Sequence, residues 1–468
     1  MTGDIWCMDA VAVAEAIRAK KISAREATKS ALARMDQVNV KLNAVTVPLV
    51  DEAMAAADAA DKAVASGATL GPLHGVPVTI KENVDQAGCA TPNGVVAYAN
   101  VMAREDSPPV ANWRAAGAII VGRTNTPAFS YRWDTDNALR GRTFNPWSRA
   151  HTPGGSSGGA GSSVAAGIGH LAHGNDYGGS IRYPAYCCGV VGLRPSQGRV
   201  PAFNPTAPAE RPITGQLMSV QGPLGRRVRD VRLGLAAMAG RDARDAWWTP
   251  APLEGPPEPK PIRVALAGEW GARKVHGDVA AALRSAANAL TAAGYQVEAA
   301  VPPGIDRIAE LFHALVVTEM RHLAREVLLR DGDDGIRTAY GFWSKLTPEI
   351  GLADYMKGLA ERNKWLREWS VFQERYPLVL APVSLSPPFA IGFDTTSEAR
   401  TAEVLAQQTP QYMVNFLGLP AVAVPTGEAG GLPMGVQIIG RRMREDMCLD
   451  AAEAIEAAAA MPTPIDPR

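Results

Sequence analysis

Between Thr152 and Arg182 the chain reads TPGGSSGGAGSSVAAGIGHLAHGNDYGGSIR, and the glycine density around two serines limits what this stretch can become. Gly154, Gly155, Gly158 and Gly159 flank Ser156, and Gly178 and Gly179 immediately precede Ser180, twenty-four residues further on. Glycine inside an element costs roughly 0.5–1 kcal/mol relative to alanine, because it loses the most backbone entropy and brings no side chain to pack. So dense a cluster predicts unusual backbone dihedrals or a very close approach of other atoms. Beside a serine, it predicts a hydroxyl on a tight turn with free backbone N–H groups around it. Those are the parts acyl transfer needs, a nucleophile and an oxyanion hole.

Three other readings of the stretch fit less well. A flexible Gly/Ser linker would not continue into SSVAAGIGHLAHGND, which has the apolar content of packed structure. A phosphate loop needs G-x-x-x-x-G-K-[ST], and no lysine follows these glycines. Gly154-Gly155-Ser156-Ser157-Gly158 does match G-x-S-x-G, but a nucleophile elbow requires a strand just before the serine. Here NPWSRAHTP precedes it, with two prolines and few β-formers, and His276, His313 and His322, which could complete such a triad, sit in helical-looking sequence.

A serine nucleophile needs a proton acceptor. The best-placed basic residue upstream is Lys81, at the end of the β-rich run Val76-Pro77-Val78-Thr79-Ile80. In the ordinary case such a lysine packs its stem and keeps its ammonium in water. Full burial would instead lower its pKa from about 10.4 toward neutrality and make it a base.

In these surroundings and with this spacing, Lys81, Ser156 and Ser180 resemble the amidase signature enzymes. The resemblance extends to GPLHGVPVTIKEN, RAAGAIIVGRTNTPAF, TFNPWSRAHTPGGSSGG, GNDYGGSIRYPAYCCGVVGLRPS, NFLGLPAVAVP and GLPMGVQIIGRRMRED, and is weakest from about 255 to 400. It implies a Ser–cis-Ser–Lys triad: Ser180 as nucleophile, Ser156 as bridging hydroxyl after a cis Gly155–Ser156 peptide, and Lys81 as base. It implies an oxyanion hole of the N–H groups of Tyr177, Gly178, Gly179 and Ser180, with Asp176 and Arg182 as a supporting ion pair. It also implies a mixed α/β sheet flanked by helices on both faces.

The chain departs from the family pattern at three places. Tyr177 stands where a small or β-branched residue is common, Asn175 where Ser or Thr is common, and Ala128 where an acidic residue often follows Thr126-Pro127. None is in the triad, so these departures bear on substrate preference rather than mechanism.

Pattern along the chain supports an α/β architecture independently. The first seventy residues read as helices, with Ser23-x-x-Glu26 as a capping box. Short β runs then alternate with helical segments: 76–80, 118–121, 168–174, 379–380, 421–424 and 435–439. The Pro-rich stretch 241–261 reads as a linker or surface excursion. IRVALAG and a helix over 277–293 resume the pattern after it. We read one domain over 1–468: N-terminal helices to 70, a catalytic core over 71–240, and a helical segment over 303–400 that the resemblance implies varies with substrate.

Lys+Arg and Asp+Glu are both 47, so the net charge of zero gives no electrostatic reason to expect nucleic acid or an anionic membrane as partner. Five cysteines without C-x-x-C spacing indicate neither a disulfide frame nor a zinc site. The first residues lack a signal-peptide pattern, and no apolar run reaches a membrane span. His170 and His173 lie in a strand-like run, where i and i+3 face opposite sides, so packing rather than metal binding is expected. No cofactor is expected.

The expected protein is a cytoplasmic, stand-alone serine amidase, monomeric or homodimeric, acting on small to medium, apolar or aryl amides. Esters and carbamates are open to the same chemistry. The alternative is the glutaminase subunit of a tRNA-dependent amidotransferase. The aromatic helical region (Phe312, Tyr340, Phe342, Trp343, Tyr355, Trp365, Trp369) and the loop Pro201–Gln216 are the expected determinants of the pocket.

Overall fold

The computed structural model describes residues 4–459 and 461–468. Its framework is a sheet of eleven strands among the described residues: β1 (Val45–Pro48), β2 (Pro77–Lys81), β3 (Ile119–Thr124), β4 (Leu171–Asp176), β5 (Val191–Arg194), β6 (Val220–Gly225), β7 (Arg263–Leu266), β8 (Gln296–Ala299), β9 (Leu378–Pro382), β10 (Ala421–Ala429) and β11 (Leu432–Gly440). The order is β1-β3-β2-β4-β6-β5-β10-β11-β9-β7-β8. The sheet is mixed. β3, β2 and β4 run parallel, as do β8, β7 and β9, while β6, β5, β10 and β11 join the two groups through antiparallel pairs. Strands from both sides of the 241–261 stretch therefore share one sheet.

Burial explains the strand sequences. Every residue of β2, β3, β9 and β11 is buried, which requires cover on both faces and near-continuous apolar runs. Helices supply the cover. Ala24–Leu42 begins with the expected capping box, Ser23 accepting from the Glu26 N–H while the Glu26 carboxylate accepts from the Ser23 N–H. Gly277–Ala292 and Glu445–Ala458 pack against the β10–β11 half.

The N-terminal seventy residues are not wholly helical: β1 pairs antiparallel with β3. Strands β5, β6 and β8 were also not anticipated. β6 reads VQGPLG, with two glycines and a proline, and β8 is a partly exposed edge strand reading QVEA. Its sequence carries too few apolar residues to signal a strand.

Candidate active site

Two neighbouring parallel strands end at the same rim of the sheet. β2 ends on Lys81 and β4 ends on Asn175-Asp176, after which the chain turns through Tyr177-Gly178-Gly179 to Ser180. The carboxyl ends of parallel strands are where open α/β sheets collect their ligand-binding groups. Ser156 and Ser157 reach the same rim on a loop that leads into the helix Gly158–Ala165. No strand precedes them, only an isolated bridge at His151, so this is not a nucleophile elbow.

The glycines allow that loop to form. A Cβ on Gly155 would lie 2.3 Å from the Arg132 carbonyl oxygen. Gly154, at φ +79°, would press on the backbone of Pro184 at 2.7 Å. The Gly155–Ser156 peptide is cis. Ser157 N–H donates to the Ser180 carbonyl at 3.2 Å, tying the two serine loops together.

Lys81 has no exposed surface, which rules out an ammonium reaching water. Its Nζ lies 2.8 Å from Ser156 Oγ, 3.1 Å from Ser157 Oγ and 2.8 Å from Asn175 Oδ1. Desolvation drives its pKa well below the usual lysine range, and the Asp176 charge opposes this only in part. Ser180 sits beside this group and is 9 % exposed. The structure joins Lys81 to Ser156 by a hydrogen bond but draws none between the Ser156 and Ser180 hydroxyls.

Asp176 and Arg182 form a fully buried ion pair with two contacts of 3.0 Å, Nε to Oδ2 and Nη2 to Oδ1. Burial alone would raise the Asp176 pKa. The Arg182 guanidinium, helped by Arg194 and a hydrogen bond from Asn415, outweighs burial and holds it well below the usual carboxylate range. The carboxylate also organises the turn, accepting from the N–H groups of Gly179 at 2.9 Å and Ile181 at 3.2 Å. The Gly179 N–H is engaged by Asp176, whereas those of Tyr177, Gly178 and Ser180 have no acceptor among the described residues.

Ser180 opens into a narrow cavity of about 30 Å³, far below the ~300–1,000 Å³ of ordinary ligand pockets. Its walls are Tyr131, Trp133, Tyr177, Phe312, Val316 and Trp343. The Trp133 and Trp343 rings lie 5.7 Å apart, and the Tyr177 and Phe312 rings 6.2 Å apart. Arg132 also reaches the cavity, but its guanidinium is paired bidentately with Asp394 at 2.8 and 3.0 Å. Of the aromatic residues in the helical segment, Phe312 and Trp343 reach the cavity. Trp365 covers Gly304, and Trp369 is buried with its indole N–H on the Pro303 carbonyl. Tyr131 and Trp133 lie in SYRWDTDN, a loop with no motif to mark it.

His170 and His173 are both buried, with Nε2 atoms against the Ile5 carbonyl and Gln221 Oε1. Burial lowers both to about 3. Among the described residues no cluster of His, Cys, Asp and Glu could hold a metal ion, and no helix is long and apolar enough to cross a membrane.

The chain is similar to known proteins over nearly its whole length. A family model described as Amidase matches residues 26–449. An indoleacetamide hydrolase of Bradyrhizobium diazoefficiens is 48% identical over 455 residues, covering 97% of this chain and 87% of that one. A glutamyl-tRNA(Gln) amidotransferase subunit of Moorella thermoacetica is 32% identical over 485 residues, covering 97% of each. Among solved structures, a bacterial aryl acylamidase of the amidase signature family superposes with a TM-score of 0.82 at 27% identity, over 97% of this chain and 96% of that chain.

Proposed function

The chain belongs to the amidase signature family and hydrolyses amide C–N bonds; we propose that its substrate is a primary amide of a flat arylacetic acid, of the indoleacetamide type. The observation that carries this reading is the aromatic cavity over Ser180, whose one charged wall residue is already neutralised by Asp394. A π-rich cleft without a free charge receives an aromatic ring and offers nothing to an amino-acid zwitterion. The Bradyrhizobium relative that acts on indoleacetamide fits the same choice. The amidotransferase reading would need polar groups for glutamine in the same place.

The chemistry follows from the positions. Neutral Lys81 takes a proton from Ser156 as Ser156 takes one from Ser180, and Ser180 Oγ attacks the amide carbonyl. Backbone N–H groups of Tyr177, Gly178 and Ser180 hold the oxyanion. The relay returns the proton to the departing nitrogen, ammonia leaves, and water hydrolyses the acyl-enzyme with the relay again as base. The protein works alone, as monomer or homodimer. Its five unpaired cysteines suit a reducing compartment such as the cytoplasm.

The test is turnover by the purified chain on indoleacetamide, phenylacetamide, an anilide, an aliphatic amide, an aryl carbamate and glutamine, each repeated with Ser180→Ala. Arylacetamide hydrolysis that Ser180→Ala abolishes supports the reading. Glutamine as the sole substrate, or turnover only with added partners, replaces it with the glutaminase of an amidotransferase complex.

A further inference from the structure

A neutral amine carries two N–H bonds and one lone pair, so of the three polar neighbours of Lys81 Nζ one must donate to it. Two of them are fixed as acceptors. Asn175 Nδ2 donates to Asn83 Oδ1 at 3.0 Å, which leaves its Oδ1 facing Nζ at 2.8 Å. Asn83 is held in turn, its Nδ2 donating to Ser130 Oγ at 2.9 Å and its carbonyl accepting from Asn204 Nδ2 at 3.0 Å. The Ser157 hydroxyl donates to the Asn175 carbonyl at 3.4 Å, so it too offers Nζ a lone pair. Ser156 Oγ has no partner but Nζ among the described residues, and is the one neighbour free to turn its O–H toward the amine.

We propose that Asn175, locked by Asn83, is a positioning residue that occupies one Lys81 N–H and so aims the amine lone pair at Ser156. This deepens the Lys81–Ser156–Ser180 reading above and rests on it. Asparagine suits the place because its oxygen accepts without charge, whereas a carboxylate there would hold Lys81 as ammonium.

The surrounding charges leave this position decisive. Asp176, on the same strand, is taken up by Arg182, Asn415 and backbone N–H groups. His173, also on β4, is neutral against Gln221. Arg123 on β3 donates to the Val84 carbonyl, and Glu82 pairs with Arg140. No carboxylate lies within 4.0 Å of Nζ among the described residues.

Asn175→Asp is the deciding variant, assayed as kcat/KM against pH on the best arylacetamide. A carboxylate in that position shifts a neighbouring amine up by about 1–3 pH units. The acid limb is therefore expected to move up by at least one unit, with turnover at a pH below both limbs about tenfold lower or worse and recovering in alkali. Asn175→Thr, which restores an uncharged acceptor, is expected to keep the limb where the wild type has it. Uniformly reduced turnover with an unmoved limb overturns the proposal. Should Asn175→Asp fail to fold, Asn83→Ala decides: a lower kcat at little-changed KM supports the lock, and an unchanged kcat overturns it. Lys81→Ala and Ser180→Ala run alongside; if either retains turnover, the triad reading itself fails, whatever Asn175 does.

Discussion

The indole N–H of Trp133 donates to the Gly178 carbonyl at 3.1 Å, so one side chain both walls the cavity at Ser180 and pins the turn whose amides are proposed to hold the oxyanion. Shape and chemistry are coupled there. Trp133→Phe keeps most of the ring and removes the donor. The loss of one hydrogen bond worth about 1 kcal/mol predicts roughly a fivefold lower kcat at nearly unchanged KM. Trp133→Ala removes the wall as well, and KM is expected to rise with it. Steady-state kinetics on an arylacetamide separate the two.

The buried base sets the pH dependence. In the proposed relay Lys81 acts as the neutral amine, and desolvation lowers its pKa well below the ordinary lysine value. Activity is therefore lost as pH falls through the lowered folded value, where the amine takes up a proton. Lys81→Ala and Ser180→Ala are each expected to lower kcat/KM by at least about 10³-fold, with Ser156→Ala also severe. A rate that never falls with acid while the protein stays folded would contradict a lysine base.

Cavity walls and core are distinguishable by selectivity. Trp343 borders the Ser180 cavity, whereas Trp365 packs over Gly304 away from it. Trp343→Ala is expected to shift the ratio of kcat/KM for an arylacetamide over an aliphatic amide by about tenfold, the scale of 1–2 kcal/mol of lost ring contact. Trp365→Ala is expected to lower stability and leave that ratio alone. Competition assays with paired substrates give the ratio directly.

This division was not readable from the helical segment itself. Aromatic residues in Ile305–Glu319, Asp334–Leu346 and Leu352–Arg375 recur at helical spacing whichever side they face. Only the packing of these helices decides which ring meets Ser180. By contrast, Lys81, Ser156 and Ser180 stood out as candidates because glycine density and a strand-terminal lysine are local signals, and the structure brings Lys81 and Ser156 within a hydrogen bond. Their supports were not. Asn415 reaches Asp176 across 239 positions, and Asn83 matters only because β2 and β4 end side by side. Asn175 was visible as a departure, without the reason that its amide faces the base. Strands followed the same rule: the β-rich stretches at β2, β3, β10 and β11 were read, while the glycine-bearing β5 and β6 depend on their neighbours in the sheet.

The ion pair beneath the turn carries a stability prediction. Asp176 and Arg182 are both wholly buried, and removing one partner strands the other, at a cost of about 3–5 kcal/mol. Arg182→Ala should lower the denaturation midpoint and also inactivate, because Asp176 holds the Gly179 and Ile181 N–H groups. The Asp176 pKa is depressed in the folded state. Its contribution is thus full above the unfolded value of about 3.9 and is lost as pH falls through the folded one. Chemical denaturation of wild type and variant from pH 7 to pH 3 measures both effects.

Asp230 predicts the opposite slope, far from the catalytic groups. It is wholly buried, one oxygen accepting from the Val11 N–H at 3.1 Å and the other, Oδ2, without a partner among the described residues. Burial first, then the nearby Asp9 charge, raise its pKa to about 7 against the pull of Arg226. Between the unfolded carboxylate value of about 3.9 and the folded one, the native state holds a proton that the unfolded chain has released, so stability falls as pH rises across that window. Asn supplies the same acceptor to Val11 and never ionises. Asp230→Asn is accordingly expected to raise the melting temperature at pH 8 by a few degrees, a scale of about 1–2 kcal/mol, and to change it little at pH 4. An equal shift at both pH values would mean that charge burial at Asp230 is not what limits stability above neutrality.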